Sequence, residues 1–246
     1  TQLNFYNSKP GQLSAYTNAG SCLLALIVET VAGKPYAEYV RDSIFIPLSM
    51  NNSAFFLNEL DTNNIATPYL IPQIPSCHTG MAYWPIGQLR TNKFELSNFA
   101  EAYLNGGIFN GNRILNSSTV SMILSDQLGY SNFVGEVQGL IWMTYNTSFD
   151  VKNLWGHGGG WWGCLTDMVI STEEDWKFLF FLNVASPPNY SPGIWDVENH
   201  IVNYAHLYGN IYSLHPSIDK YYARISIDTI LFRTQYSNKF NYPFIS

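Results

Sequence analysis

Two runs in the second half of the chain, GCLTDMVIS (163–171) and KFLFFLNVAS (177–186), place the tightest limit on the fold. Both are rich in β-branched and aromatic residues, which suit a pleated, half-buried surface. The polar TEEDW between them (172–176) leaves room only for a tight connection, so the pair predicts a hairpin. VQGLIWMTY (137–145) reads as a further strand of the same kind. The second half of the chain is therefore expected to build an antiparallel sheet.

The first half carries a different period. Residues 1–15 read as a loop with a Pro10-Gly11 turn. Leu23, Leu24, Ile27, Val28 and Val31 then recur at helical spacing and predict a buried helix, with Asn18 as its N-cap and Gly33 as its left-handed stop. Pro35 opens a second helix through Val40 and Ile44, and Pro47 ends it. Residues 51–93 hold four prolines and few periodic apolar positions; a loop of that length is usually functional or covering. LSNFAEAYLNGG predicts a helix capped by Ser97 and stopped at Gly106-Gly107, and NSSTVSMILS a short one from about Ser118. WDVENHIVNYAHLYG predicts a closing helix that stops at Gly209. The expected architecture is α/β of the α+β type, an antiparallel sheet flanked by helices, in a domain spanning 1–209. Residues 210–246 form a C-terminal extension, in which ARISIDTILF suggests one edge strand.

Composition narrows the function. Apolar residues make up 46% of the chain, enough for a sizeable core, and charged residues only 12%. A net charge of −6 without a basic run argues against a nucleic-acid partner. No apolar run approaches the roughly 18 residues of a transmembrane helix. Cys22, Cys77 and Cys164 contain no CxxC and read as buried small hydrophobes, with one disulfide and a spare thiol as the alternative. Asn51, Asn116, Asn146 and Asn189 each open an N-x-[ST] triplet. With the low charge, these candidate glycosylation sites lean towards a secreted or vesicular, lysosomal protein; a mitochondrial home is the alternative. Of the five histidines, only His200 and His206 share a predicted element, and at six apart they do not share a helical face. No metal and no cofactor are expected.

Two stretches can carry chemistry. In SAYTNAG (14–20), Tyr16 and Asn18 precede a helix, and in extended backbone residues two apart point the same way. A phenol near a cation can lose its proton well below its usual pKa of about 10 and act as a general base. The plainer reading is a packed Tyr and a capping Asn. In LWGHGGGWWGC (154–164), Gly158, Gly159 and Gly160 follow His157 and let backbone approach a ligand closely, with Trp161 and Trp162 as an apolar wall. The plainer reading there is a glycine-rich turn with a surface His.

PGQLSAYTNAGSCLLALIVETVAGKPYAEYVRDSIFIPLSM (10–50) resembles the Tyr-x-Asn segment of the serine β-lactamase and penicillin-binding-protein-like family, in its class C β-lactamase, esterase and D-aminopeptidase branch. YWPIGQLRTNKFELSNFAEAYLNGG (83–107) is similar to the family's later glycine–leucine–Ser/Thr segment and helix. WGHGGGWWGC resembles its third motif, Lys/His-x-Gly on a strand. The likeness runs from about residue 10 to about 208. It implies Tyr16 as the general base that activates a serine and later protonates the leaving group. It implies Asn18 as a hydrogen-bonding partner of substrate and the catalytic lysine, and His157 as the group that tunes Tyr16. Gly159 would give room for substrate, and the Gly160 N–H would supply half of an oxyanion hole. The substrate class implied is a small-molecule or peptide acyl compound: an ester, amide or lactam.

The family's nucleophile lies in Ser-x-x-Lys, ahead of Tyr-x-Asn. In this chain only Ser217-Ile-Asp-Lys220 fits the pattern, far behind the third motif, where a chance match is the reading. The family's missing stretch also supplies the first strands and the central helix, so a large apolar face is expected to stand uncovered. Three readings follow: a serine hydrolase whose nucleophile lies on an upstream segment, inactive as this chain alone; a catalytically dead structural or interaction subunit of a larger assembly; or a gap filled by the tail and a partner chain. Because the chain opens on Thr1, the upstream segment is the first expectation. Glycan binding through an aromatic surface, with 7 Trp and 17 Tyr, is a further reading that core packing largely absorbs.

Overall fold

The computed structural model describes residues 9, 15–71, 74–129, 137–144 and 153–183, which lie within one compact unit, Thr1–Asn210. The predicted hairpin is its centre. β7 (Cys164–Ser171) and β8 (Trp176–Leu182) pair antiparallel through the 172–175 turn, and β6 (Leu154–Trp161) pairs with the other side of β7. The sheet order is β5-β6-β7-β8, but β5 is only Met143–Thr144. The run 137–145 makes no full strand, because Gln138 bridges back to Met143 around Ile141, whose φ is positive at 70°. The glycine-rich stretch is strand rather than turn: every residue of β6 has a registered partner on β7, so main-chain pairing outweighs the weak strand preference of glycine.

Strand alternation then sorts the two faces. Trp155 and Ile170 pack with Ala100, Tyr103, Val120 and Trp142, so this face carries the helices α3 (Lys93–Leu104) and α4 (Ser117–Ile123). Lys177, on the same face of β8, forms an ion pair with Glu101 of α3. Leu154, Val169 and Phe178 cluster on the opposite face. A second core gathers Val40, Phe45, Leu48, Met50, Phe55 and Ala102 beneath α2 (Tyr36–Val40) and the π-helical turn Arg41–Phe45. Fully buried side chains such as Leu48 and Leu154 contribute roughly 1.5–3 kcal/mol each.

Segment 51–93 keeps its irregular character, with short turns, a small hairpin of β1 (Tyr69–Ile71) and β2 (Ile74–Pro75), and a bridge between Ala54 and Arg90. A second small hairpin, β3 (Ile108–Phe109) with β4 (Asn112–Arg113), follows α3. α3 starts earlier than Ser97: its N-cap is Asn92, whose side chain accepts from the Phe94 and Glu95 N–H groups. Glu95, buried at the second of these positions, in turn accepts from the Asn52 backbone and side chain and from the Ser53 hydroxyl. One carboxylate thereby ties the loop to the helix.

α1 (Asn18–Ala32) ends as its sequence predicts, with Gly33 at φ 66° donating to Glu29 O. Its environment does not match the expectation of a buried helix. Leu23, Leu24, Leu26, Ile27 and Val31 are all exposed, Val31 at 83%, and only Ala25 is buried. The three cysteines are free; Cys77 and Cys164 are exposed and Cys22 is half-buried, so neither burial nor a disulfide holds. Asn51 and Asn116 are exposed, while Asn146 and Asn189 lie outside the described residues, as do the predicted closing helix, the 210–246 extension and Ser217–Lys220. No helix among the described residues is long and apolar enough to cross a membrane, and no group of three or more His, Cys, Asp and Glu there could hold a metal ion.

Candidate active site

The first turn of α1 and the middle of β6 meet. Thr17, extended at φ −151° and ψ 123°, is the N-cap, and Asn18 is the first helical residue. Asn18 is thus not the cap it was expected to be. Its carboxamide oxygen accepts a hydrogen bond from the Tyr16 hydroxyl at 3.0 Å. The extended backbone at Thr17 puts both side chains on one side, as their spacing requires. The Tyr16 ring stands 6.0 Å from the His157 ring, centroid to centroid, tilted by 36°. Tyr16 is 72% exposed, so packing does not explain its position.

His157 faces the same side of β6 as Trp155, whose indole is anchored in the helix-side core. Its Nδ1 lies 2.6 Å from the carbonyl oxygen of Gly158. A carbonyl can only accept, so Nδ1 carries the proton, and in the neutral ring Nε2 is left as the acceptor. Gly159 comes next on that face. A Cβ there would stand 2.8 Å from Oγ1 of Thr166, its partner on β7. A side chain at this position, between His157 and Trp161 on the same face of β6, would therefore crowd the Thr166 hydroxyl. Gly158 and Gly160 alternate to the other face, Gly158 opposite the buried Asp167.

The far end of β6 is fastened to the irregular segment. Trp161 Nε1 donates to Thr79 Oγ1 at 2.9 Å, and its ring meets Tyr83 edge-on at 6.4 Å. Trp162 stands exposed on the hairpin turn and does not join this contact. Cys22 of α1 leans its thiol toward the Tyr83 carbonyl at 3.8 Å. Thr79 and Tyr83 were not singled out in the sequence. Their only signal was the length of the irregular segment that carries them.

Tyr16, Asn18 and His157 thus converge, with Gly159 and Trp161 following His157 on the same face of β6. A family model described as Beta-lactamase matches residues 6–201. A penicillin-binding protein of Bacillus subtilis (strain 168) is 24% identical over 213 residues, which cover 79% of this chain and 45% of that protein. The octameric penicillin-binding protein homologue from Pyrococcus abyssi superposes with a TM-score of 0.64 at 24% identity, over 82% of this chain and 44% of the other. A D-amino acid amidase from Ochrobactrum anthropi SV3, complexed with L-phenylalanine, gives a TM-score of 0.66 at 18% identity, over 81% and 59%. The chain spans about half the length of the curated relative it matches. With most of its length matched by the family model and its fold shared with these structures, the chain belongs to the beta-lactamase family.

Proposed function

We propose that this chain carries the proton-transfer half of a serine acyl-hydrolase site, acting on an ester, amide or lactam. The observation that supports the reading most is the meeting of Tyr16, Asn18 and His157 from opposite ends of the described chain. On this reading a serine hydroxyl from the part of the relatives that this chain does not span attacks the acyl carbonyl. The Tyr16 oxygen takes the serine proton and returns it to the leaving group, and water then repeats the cycle to release the acid. Asn18 holds the phenol in place and presents its NH2 to substrate. His157, with Nδ1 pinned to Gly158 O and its ring beside that of Tyr16, offers positive charge to the phenol when protonated. The Gly160 N–H is assigned to the developing oxyanion. A histidine rather than a lysine in the third motif fits peptidase- and esterase-like chemistry, and the amidase neighbour's named substrate class, D-amino acid amides, is an acyl compound of this kind.

The exposed apolar stripe of α1 supports the same reading from packing, since a surface of this kind is built to be covered. The chain alone is then inactive. The test is an intact-mass measurement of native material treated with a fluorophosphonate or penicillin probe. A labelled serine on a segment travelling with this chain supports the proposal. A complete native assembly that takes up neither probe sinks it and favours the second reading, a family fold kept for assembly.

A further inference from the structure

A second cleft lies apart from the Tyr16–His157 pair, in the irregular segment at the far end of β6. It is an open groove of about 460 Å³, lined by Phe56 and Leu57 together with His78, Thr79, Gln88 and Arg90. Arg90 is its dominant charge, and it is firmly placed. Its backbone bonds in both directions with Ala54, at 3.0 and 2.8 Å. Its guanidinium donates through Nη1 to the Phe55 and Gln88 carbonyls, at 3.0 and 3.3 Å, and through Nη2 to the Thr79 carbonyl at 3.3 Å. A guanidinium has five N–H donors. Three are used, all on neutral carbonyls, and no carboxylate among the described residues pairs with the charge. Burial pulls the group below its ordinary pKa without an opposing anion. A half-buried cation normally has an anionic partner.

The surrounding groups match one kind of partner. Gln88 spends one amide hydrogen on the Phe55 carbonyl and its oxygen on the Met81 N–H, so its second amide hydrogen remains a donor. Thr79 Oγ1 accepts from Trp161, which leaves its hydroxyl proton to donate. Donors and the apolar side chains of Phe56 and Leu57 therefore line one and the same cleft. We propose that this cleft binds a carboxylate borne on an apolar or aromatic group, with Arg90 as its bidentate partner and Phe56 and Leu57 against the apolar part. Because Thr79 holds Trp161, occupancy would be felt at the end of β6.

The test is a titration of the full chain with phenylacetate, followed by amide chemical shifts, with neutral phenylacetamide as the control. Saturable binding in the millimolar range is expected, with shifts concentrated in 55–62 and 78–90 and extending to Trp161. Phenylacetamide is expected to bind at least about tenfold more weakly, and Arg90→Gln to weaken phenylacetate by about tenfold or more. Equal binding of acid and amide, or unchanged binding to a folded Arg90→Gln, overturns the proposal. Should Arg90→Gln fail to fold, Leu57→Glu, which places a like charge in the cleft wall, decides it: about tenfold weaker binding supports the site, and unchanged binding rejects it.

Discussion

The rings of Tyr16 and His157 lie 6.0 Å apart although they belong to elements far apart in the chain, the entry to α1 and the strand β6. The contact is made by side chains that packing does not require. Tyr16→Phe keeps the ring and removes the hydroxyl, together with its hydrogen bond to Asn18. Because Tyr16 is largely exposed, the melting temperature should hardly move. If the proposed serine-bearing segment completes the site, its acylation by a fluorophosphonate probe should fall by about 10²–10⁴-fold. Labelling of Tyr16→Phe at the parent rate would remove Tyr16 from proton transfer.

Glu95 is a buried carboxylate held by neutral donors, the backbone and side chain of Asn52 and the hydroxyl of Ser53. Glu95→Gln turns one acceptor oxygen into a donor that faces other donors. The expected cost is about 2–4 kcal/mol in denaturant unfolding, with segment 51–56 released before the sheet in hydrogen exchange. A variant as stable as the parent would show that these bonds exchange freely with water.

The hairpin of β7 and β8 was legible because its composition leaves few alternatives, and the end of α1 because Gly33 stands where a left-handed residue is needed. The start of α3 was not: Ser97 and Asn92 are both good caps, and Asn92 wins because Glu95, three residues on, finds partners in the loop far upstream. That pairing is invisible locally. Three glycines after His157 read equally as turn and as strand, and only the partner strand β7 decides. Periodicity told which residues of α1 are apolar, but not whether anything covers them. The Tyr16–Asn18–His157 cluster was reachable through motif order, whereas Thr79 and Tyr83 were not, since their link to Trp161 is purely tertiary.

Two glycines with similar backbones separate strain from crowding. Gly107 has φ 88° and Gly111 has φ 82°. A Cβ on Gly111 meets nothing within 4 Å, whereas one on Gly107 would lie 2.1 Å from the Leu115 carbonyl oxygen. Gly111→Ala should therefore cost only the left-handed penalty of about 1–2 kcal/mol, and Gly107→Ala roughly 3 kcal/mol or more. Equal losses in thermal unfolding would mean that the turn after α3 relaxes without resistance.

Tyr36 and Tyr103 are phenols that burial holds above their ordinary pKa, Tyr103 with a hydrogen bond from Trp142 pulling the other way. The neutral forms are favoured in the fold. Their contribution is full below the unfolded value of about 10 and is lost as pH rises through the higher folded values. Stability should therefore fall steeply on the alkaline side of pH 10, and Tyr36→Phe with Tyr103→Phe should flatten that fall. An unchanged alkaline slope in the double variant would assign the loss to other groups.

The apolar stripe of α1 gives the sharpest packing prediction. Leu24, Ile27 and Val31 lie on one helical face, all exposed, while Ala25 turns inward. Charges placed on that stripe remove no contact of the isolated chain, so Leu24→Glu with Val31→Glu should leave the unfolding free energy within about 0.5 kcal/mol of the parent and reduce self-association in sedimentation. If the stripe is the seat of the segment that completes the site, the same double variant should lose assembly with that segment, and with it all serine labelling. Loss of folding in the isolated double variant would instead mean that the stripe already packs within the chain. Parent-like labelling in a complete assembly would place the completing segment on another face.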